Sequence, residues 1–228
     1  PNYKQTRFKY SPAHQDIAVC CTPNAGRITP YYVQNMFMKD KSGIVAVLFG
    51  SCDFTATIGK ALVSVKEITD YPDNDKITFE ITVDKPVQFS FKIRKPAWSK
   101  GFIANFDYKD EGSYIMIDQK WTSATTLTVE FKAEIEKHSF DNKTYFTYGG
   151  LVLALPIQAE EIPAKVYTKE FQDFEYTPQN FTIFEYADEM PIIKDGKFFV
   201  NLYNSVWQKK EQKELLPVGK TILRQVTF

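Results

Sequence analysis

The sequence has few residues of the kinds that build reactive centres, and it has no long apolar run. Its 228 residues include three cysteines, two histidines and ten glycines. An odd number of cysteines without regular spacing does not indicate a disulfide framework. The cysteines therefore do not distinguish an oxidising from a reducing compartment. No signal peptide is visible, and no apolar stretch approaches the ~20 residues of a transmembrane helix. We therefore expect no membrane segment.

The charge balance and the motifs that are missing argue against several classes of function. Lys plus Arg number 28, as do Asp plus Glu, so the formal net charge is zero. Nucleic-acid-binding proteins usually carry a basic face that neutralises phosphates, and we expect no nucleic-acid partner. The sequence contains neither a glycine-rich phosphate loop nor a serine elbow. The two histidines, His14 and His138, lack the spacing of metal ligands.

Aromatic residues are abundant, with 19 Phe, 13 Tyr and 3 Trp, and they favour β-structure. Apolar and polar side chains alternate in several segments, namely 77–83, 89–94, 115–117 and 127–131. Turn-forming residues separate these segments, at 72–75, 84–86 and 110–112. Alternation of this kind is typical of antiparallel sheets with one exposed face. Many short strands at this spacing predict a sandwich.

The first 42 residues have a different pattern. Residues 1–19 have no sustained period, and we interpret them as an extended arm. Thr22 can cap a helix and Pro23 is acceptable at its first position, so we predict one helix from Pro23 to Met38 with an exposed apolar surface. The apolar run Ile44–Phe49 predicts a buried strand.

The predicted fold is therefore all-β: a jelly-roll-like β-sandwich with an N-terminal arm and one helix, plus a smaller C-terminal β region. The arm and helix occupy residues 1–42, and the sandwich occupies residues 43–156. Residues 157–228 complete or adjoin the sandwich, because the composition loosens after Pro156 and closing strands are predicted near the end of the chain.

The adjacent cysteines Cys20 and Cys21 have the clearest chemical meaning. Neighbouring cysteines rarely form a disulfide with each other, because the small ring strains the bond. They are better suited to holding one metal ion, or to a reactive thiolate supported by its neighbour. Structural zinc takes four protein ligands and catalytic zinc about three, so two thiols form only part of a site. Cys52 is interpreted as a small buried thiol at a strand end.

The order of several motifs resembles bacterial β-L-arabinofuranosidases, glycoside hydrolase family 127 and its relatives. The double cysteine in its context is the most specific of these motifs, whereas the strand motifs alone are weak. In chain order they are Cys20-Cys21-Thr22-Pro23-Asn24 with Arg27, the strand end Arg94-Lys95-Pro96-Ala97-Trp98, the hairpin Tyr114–Ile117 with Trp121, the strand Tyr148-Gly149-Gly150-Leu151-Val152, and the closing segment Glu214–Thr221. Gly150 replaces a proline of the family pattern.

The resemblance implies that the chain corresponds to roughly the C-terminal third of a family enzyme. In the family, catalysis takes place on an (α/α)6 barrel that precedes the sandwich domains. The first of the paired cysteines is the nucleophile there, and both bind zinc with a glutamate and a further cysteine from upstream. Cys20 matches the nucleophile and Cys21 the supporting ligand. The upstream ligands and the acid/base carboxylate have no counterpart in this sequence.

The function implied by the resemblance is hydrolysis of terminal arabinofuranose-type sugars, with retention, by Cys20. Zinc and the glycan substrate belong to the full-length enzyme. We expect this chain alone to be inactive and without zinc. Whether the chain is itself an enzyme stays open, because the parent family is a glycosidase but this chain lacks most of the catalytic barrel. The sequence does not distinguish between the bacterial periplasm and the cytoplasm as the location of the parent protein. The exposed helix suggests a dimer.

The alternative is a non-catalytic sandwich, either an accessory domain or a carbohydrate-binding module. Three tryptophans, Trp98, Trp121 and Trp207, are the residues that would stack on sugars. Core packing is the commoner use of such side chains.

Overall fold

The computed structural model describes residues 21–169, 171–179 and 182–228. Within these residues it has one α-helix, α1 (Cys21–Gln34), and a short 3-10 helix, Val218–Lys220. No helix of the described segments is long and apolar enough to cross a membrane. The strands are β1 (Phe37–Lys39), β2 (Gly43–Ala46), β3 (Cys52–Ile58), β4 (Ala61–Ile68), β5 (Lys76–Val83), β6 (Val87–Arg94), β7 (Phe102–Ala104), β8 (Lys109–Asp110), β9 (Tyr114–Trp121), β10 (Thr125–Phe131), β11 (Ile135–Phe140), β12 (Lys143–Tyr148), β13 (Leu151–Pro156), β14 (Ala159–Thr168), β15 (Phe171–Pro178), β16 (Phe184–Tyr186), β17 (Ile192–Lys194), β18 (Lys197–Asn204), β19 (Lys209–Pro217) and β20 (Arg224–Gln225).

The chain divides into two compact units, one of residues 26–134 and another that includes residues 135–228. The predicted segments 1–42, 43–156 and 157–228 stay a prediction about domain organisation.

The unit of residues 26–134 is a β-sandwich, which confirms the predicted fold class. One sheet has the order β1-β2-β6-β9-β8 and the other β3-β4-β5-β10-β7. The alternating pattern explains the packing, because inward residues such as Ile77 and Ile81 on β5 are fully buried while Glu80 is exposed. Phe79 on β5 meets Phe91 on β6 edge to face, with ring centroids 5.2 Å apart. The core therefore lies between the two sheets.

Gly43 is required by the close pairing of β2 with β6. These two strands are parallel, in contrast to the other pairs in the sandwich, and Gly43 lies opposite Ser90. A Cβ on Gly43 would lie 2.1 Å from the carbonyl oxygen of Ser90. Only glycine lets the two backbones approach this closely.

The helix ends earlier than the sequence predicts. The predicted helix extends to Met38, but α1 ends at Gln34, and Met38 belongs to β1. The N–H groups of Asn35 and Met36 bond to the carbonyls three residues earlier, which tightens and closes the last turn. Met36 is buried in the sandwich core. Tertiary burial of Met36 thus overrides the helical spacing on which the prediction was based.

Residues 135–228 form a second set of strands with its own core. The sheet order is β11-β12-β13-β19-β18-β16, with β17 on β18 and β20 on β13. Its core includes Phe146, Leu153, Leu202 and Leu215. The hairpin of β14 and β15 forms a separate two-stranded sheet. At the C-terminal end, Arg224–Gln225 pairs with β13, and the backbone of Phe228 exchanges two hydrogen bonds with that of Thr144.

Candidate functional site

The two cysteines predicted to carry the chemistry lie at the start of the described chain. Cys20 lies outside the described residues. Cys21 is the first residue of α1, and the structure describes its backbone alone. Among the described residues there is no group of three or more His, Cys, Asp or Glu side chains that could hold a metal. The assignments of Cys20 and Cys21 therefore stay predictions.

The C-terminal end of α1 is fixed to the sandwich by the segment that follows β2. The hydroxyl of Tyr32 donates a hydrogen bond to the carbonyl of Phe49, with an O–O distance of 2.8 Å. The carbonyl of Met36 accepts the N–H groups of Val47 and Leu48, at 2.8 and 3.3 Å. These contacts of Tyr32 and Met36, which we call the helix anchor, fix the end of α1 to the segment that follows β2.

The rest of α1 shows an apolar surface to solvent. Ile28, Tyr31 and Val33 are all exposed, as the sequence predicts for this helix. Soluble proteins rarely leave several large apolar side chains of one element uncovered without a use. The predicted dimer through this surface stays a prediction.

Beside the helix anchor lies a buried carboxyl group, that of Glu67 on β4, which is 1% exposed. Its Oε1 accepts the N–H of Gly50 at 2.9 Å, whereas Oε2 has no hydrogen-bond partner among the described residues. Burial raises the pKa of Glu67 to about 8, although the Gly50 hydrogen bond opposes the shift. The carboxyl is therefore largely protonated at neutral pH in the folded protein.

The position of Glu67 follows from the period of its strand. Glu67 lies within β4, one residue before the strand ends. The signal that would have located it is the two-residue period of β4, in which Ala61, Val63 and Val65 are buried. Glu67 has the same parity and therefore faces the core.

Cys52 lies opposite Glu67 in the pairing of β3 with β4. It is a free, partly buried thiol, and burial together with the charges of Glu67 and Asp53 raises its pKa to about 11. A thiol with so high a pKa is a poor nucleophile and a poor metal ligand at neutral pH. The interpretation of Cys52 as a structural thiol agrees with this environment.

The remaining candidates divide between the core and the surface. Trp121 is buried, stacks on Phe89 with ring centroids 5.0 Å apart, and donates its indole N–H to the Phe89 carbonyl. Trp98 meets Phe131 edge to face. Both therefore pack in the sandwich, whereas Trp207 is exposed. His138 lies on β11, where Nε2 is 2.9 Å from the Thr147 hydroxyl; His14 lies outside the described residues.

Comparison with known proteins identifies the sandwich. Residues 43–133 match the sequence model described as "Beta-L-arabinofuranosidase, GH127 middle domain". Residues 43–133 are therefore similar to the middle domain of this glycosidase family. The match covers β2 to β10, which form most of the two facing sheets. The predicted resemblance to this glycosidase family is thereby confirmed. No curated protein matches the sequence.

Solved structures show the same fold over nearly the whole chain. A GH127 beta-L-arabinofuranosidase from Geobacillus stearothermophilus T6 is similar at 15% identity and a TM-score of 0.60, covering 91% of this chain and 37% of that one. A glycoside hydrolase gives the same identity and TM-score, with 92% and 39% covered. A GH127 beta-arabinofuranosidase gives 14% identity and a TM-score of 0.55, with 86% and 35% covered. The chain thus spans well under half the length of these structures.

Proposed function

We propose that this chain is the C-terminal β-sandwich portion of a bacterial glycoside hydrolase that acts on terminal arabinofuranose-type sugars, with Cys20 as nucleophile. The GH127 middle domain at residues 43–133 is the observation on which the proposal rests. Cys21 lies 22 residues before Gly43, where the matched segment begins, and it is the first residue of the helix whose Tyr32 is hydrogen-bonded to Phe49.

The chemistry assigned to Cys20 is nucleophilic attack with retention. The thiolate sulfur forms a bond to the anomeric carbon, while the bond from that carbon to the leaving oxygen breaks and the oxygen takes a proton from a general acid. Water, deprotonated by the same group, then displaces the sulfur and releases the sugar. Most retaining glycosidases use a carboxylate as the nucleophile. A thiol can replace it only if its pKa is lowered.

One feature of this chain favours a lowered thiol pKa, and a bound metal ion would add to its effect. Cys21 is the first residue of α1, and the partial positive charge of a helix N-terminus stabilises thiolates. Bound zinc would supply a stronger effect of the same sign, because a coordinating thiol is deprotonated outright. Cys20 and Cys21 are ligands of the type zinc prefers, but they supply two of about four. The remaining ligands and the general acid would come from residues outside this chain.

The proposal predicts that the chain alone does not hydrolyse arabinosides. The experiment compares the chain with the product of its complete reading frame on an aryl β-L-arabinofuranoside. We expect release of the aryl group by the complete product only, and its loss in Cys20→Ser. Cys52→Ser serves as the matched control, because Cys52 is a partly buried thiol of the sandwich.

Three results would contradict the proposal. The first is hydrolysis by the chain alone, and the second is full activity of the Cys20→Ser variant. The third is a complete reading frame that encodes no residues beyond this chain, which would favour the non-catalytic accessory domain.

A further inference from the structure

One tryptophan remains outside both cores. Trp207 lies in the turn between β18 and β19, and 68% of its surface is exposed. An exposed indole leaves a large apolar face in water, whereas Trp98 and Trp121 are used for packing in the sandwich. Exposed tryptophans of this kind are enriched at binding surfaces, because one side chain offers both a flat apolar face and an N–H donor.

The turn that carries Trp207 is held firmly by the buried side chain of Asn204. The Oδ1 atom of Asn204 accepts the N–H groups of Val206 and Trp207, at 3.0 and 3.1 Å. Its Nδ2 donates to Oε1 of Glu211 at 2.9 Å. All the polar atoms of this buried side chain are therefore used to fix the turn. A fixed turn presents the indole without a large entropy loss on binding.

Trp207 lines a cleft of about 480 Å3 in the unit of residues 135–228. The size falls in the range of about 300–1,000 Å3 that is typical of small-molecule sites. The walls come from the end of β13 with the residues after it, from Phe184 on β16, and from the first half of β19. Asn204 at the end of β18 also lines it, so the cleft is built from four strands of one sheet and their connections.

The charged side chains of the cleft are already paired with one another or with a neighbour. Glu211 lies 3.5 Å from Lys209 and 2.7 Å from Lys213. Glu214 lies 3.2 Å from Lys197. The lining thus holds two lysines and two glutamates, and each of these four side chains lies within 4 Å of an opposite charge. A phosphate or another ion would have to displace an existing pair, so the cleft favours a neutral ligand.

The uncharged polar groups of the lining determine what kind of neutral ligand fits. Gln158, Gln179 and Thr182 line the cleft, and their amide and hydroxyl groups both donate and accept hydrogen bonds. A ligand that matches them carries several hydroxyl groups, and one that also covers the indole of Trp207 has an apolar face. Sugar rings combine these two properties.

We infer that this cleft is a non-catalytic binding site for a neutral sugar unit of a glycan, which stacks on Trp207 and is hydrogen-bonded by the amides of the cleft wall. The site does not depend on Cys20 or on zinc. It would hold the polymer while another part of the protein acts on it. The inference is therefore tested separately from the proposed hydrolase activity.

The test measures binding of the chain to soluble arabinan by affinity electrophoresis, and to L-arabinose, D-xylose, D-galactose and D-glucose by calorimetry. Inorganic phosphate is the charged comparison. We expect at least one of the neutral ligands to bind, and Trp207→Ala to weaken that binding about tenfold, the factor that 1.4 kcal/mol gives. Gln158→Ala should weaken binding less. Both side chains line the cleft, and unchanged thermal unfolding shows that the variants fold.

Phe140→Ala is the matched control. Phe140 belongs to the same unit and is 70% exposed, but it does not line the cleft. Its removal should leave sugar binding unchanged. The inference is overturned if none of the neutral ligands binds, if Trp207→Ala binds as well as the unaltered chain, if Phe140→Ala weakens binding equally, or if phosphate competes for the site.

Discussion

The buried carboxyl of Glu67 predicts a loss of folding stability as the pH rises. In the folded protein burial raises its pKa to about 8, whereas the ordinary value is 4.5. Between these two values the folded state binds more protons than the unfolded state, so the free energy of unfolding falls with pH. Below pH 4.5 the carboxyl is protonated in both states, so its ionisation does not lower the free energy of unfolding. Above pH 8 the loss is complete.

The size of the effect follows from the difference between the two pKa values. Each unit corresponds to 1.36 kcal/mol, so the shift corresponds to at most roughly 5 kcal/mol. In Glu67→Gln the amide keeps the shape of the side chain, and its oxygen still accepts the Gly50 N–H, but it does not titrate. We therefore expect Glu67→Gln to exceed the unaltered chain in stability by several kcal/mol at pH 9. The difference should narrow steadily towards pH 5.

Urea unfolding of both proteins between pH 5 and pH 9 measures this difference directly. Glu80→Gln is the matched control, because Glu80 lies on the adjacent strand β5 and is exposed. That variant should follow the pH profile of the unaltered chain. If Glu67→Gln shows the same pH dependence as the unaltered chain, the assignment of a protonated carboxyl beside the helix anchor is wrong.

Three further predictions concern the sandwich. Gly43→Ala should lower the free energy of unfolding by more than about 3 kcal/mol, because the added Cβ would meet the Ser90 backbone. Gly101→Ala, where the nearest atom is 3.8 Å away, should change it by less than about 1 kcal/mol; equal effects in urea unfolding would contradict the close-approach argument. Burial would raise the pKa of Asp40, but hydrogen bonds from Ser42, Lys92 and Gly43 lower it to about 2. Asp40→Asn should therefore cost about 1 kcal/mol at pH 7, where Asp40 is partly solvent-screened, and the difference should vanish as the pH falls from 4 towards 2. Cys52 should react slowly with a thiol reagent at pH 7, because its pKa is about 11; a mass-spectrometric rate equal to that of a free thiol would refute this.

Much of the sandwich follows from the two-residue period of the sequence. The strands β5, β6, β9 and β10 lie where the alternation of apolar and polar residues predicts them. This works because each of these strands has one face in the core, so burial enforces the period. The predicted helix is too long because helical spacing alone does not show where burial in the core ends a helix. Met36 fits the helical spacing of α1, but the core buries it after the helix has ended.

The groups that give the molecule its chemistry were harder to predict. Glu67 has the parity of a core position, but a carboxylate is rarely placed in a core without a partner, so its residue type argues against that position. Trp207 has no local pattern that separates it from the packed tryptophans Trp98 and Trp121. Its exposure and its cleft depend on β13 and β19, which are far apart in the sequence and adjacent in the sheet. Such long-range pairing is not readable from local composition.

The zinc content of the purified chain tests the account of its cysteines most directly. The account holds that Cys20 and Cys21 form part of a metal site whose other ligands lie outside this chain. It therefore predicts less than one zinc ion per chain after dialysis, with no further loss in a Cys20→Ser, Cys21→Ser double variant. One tightly bound zinc per chain that the double variant loses would contradict it, because the ligand set would then be complete within these residues.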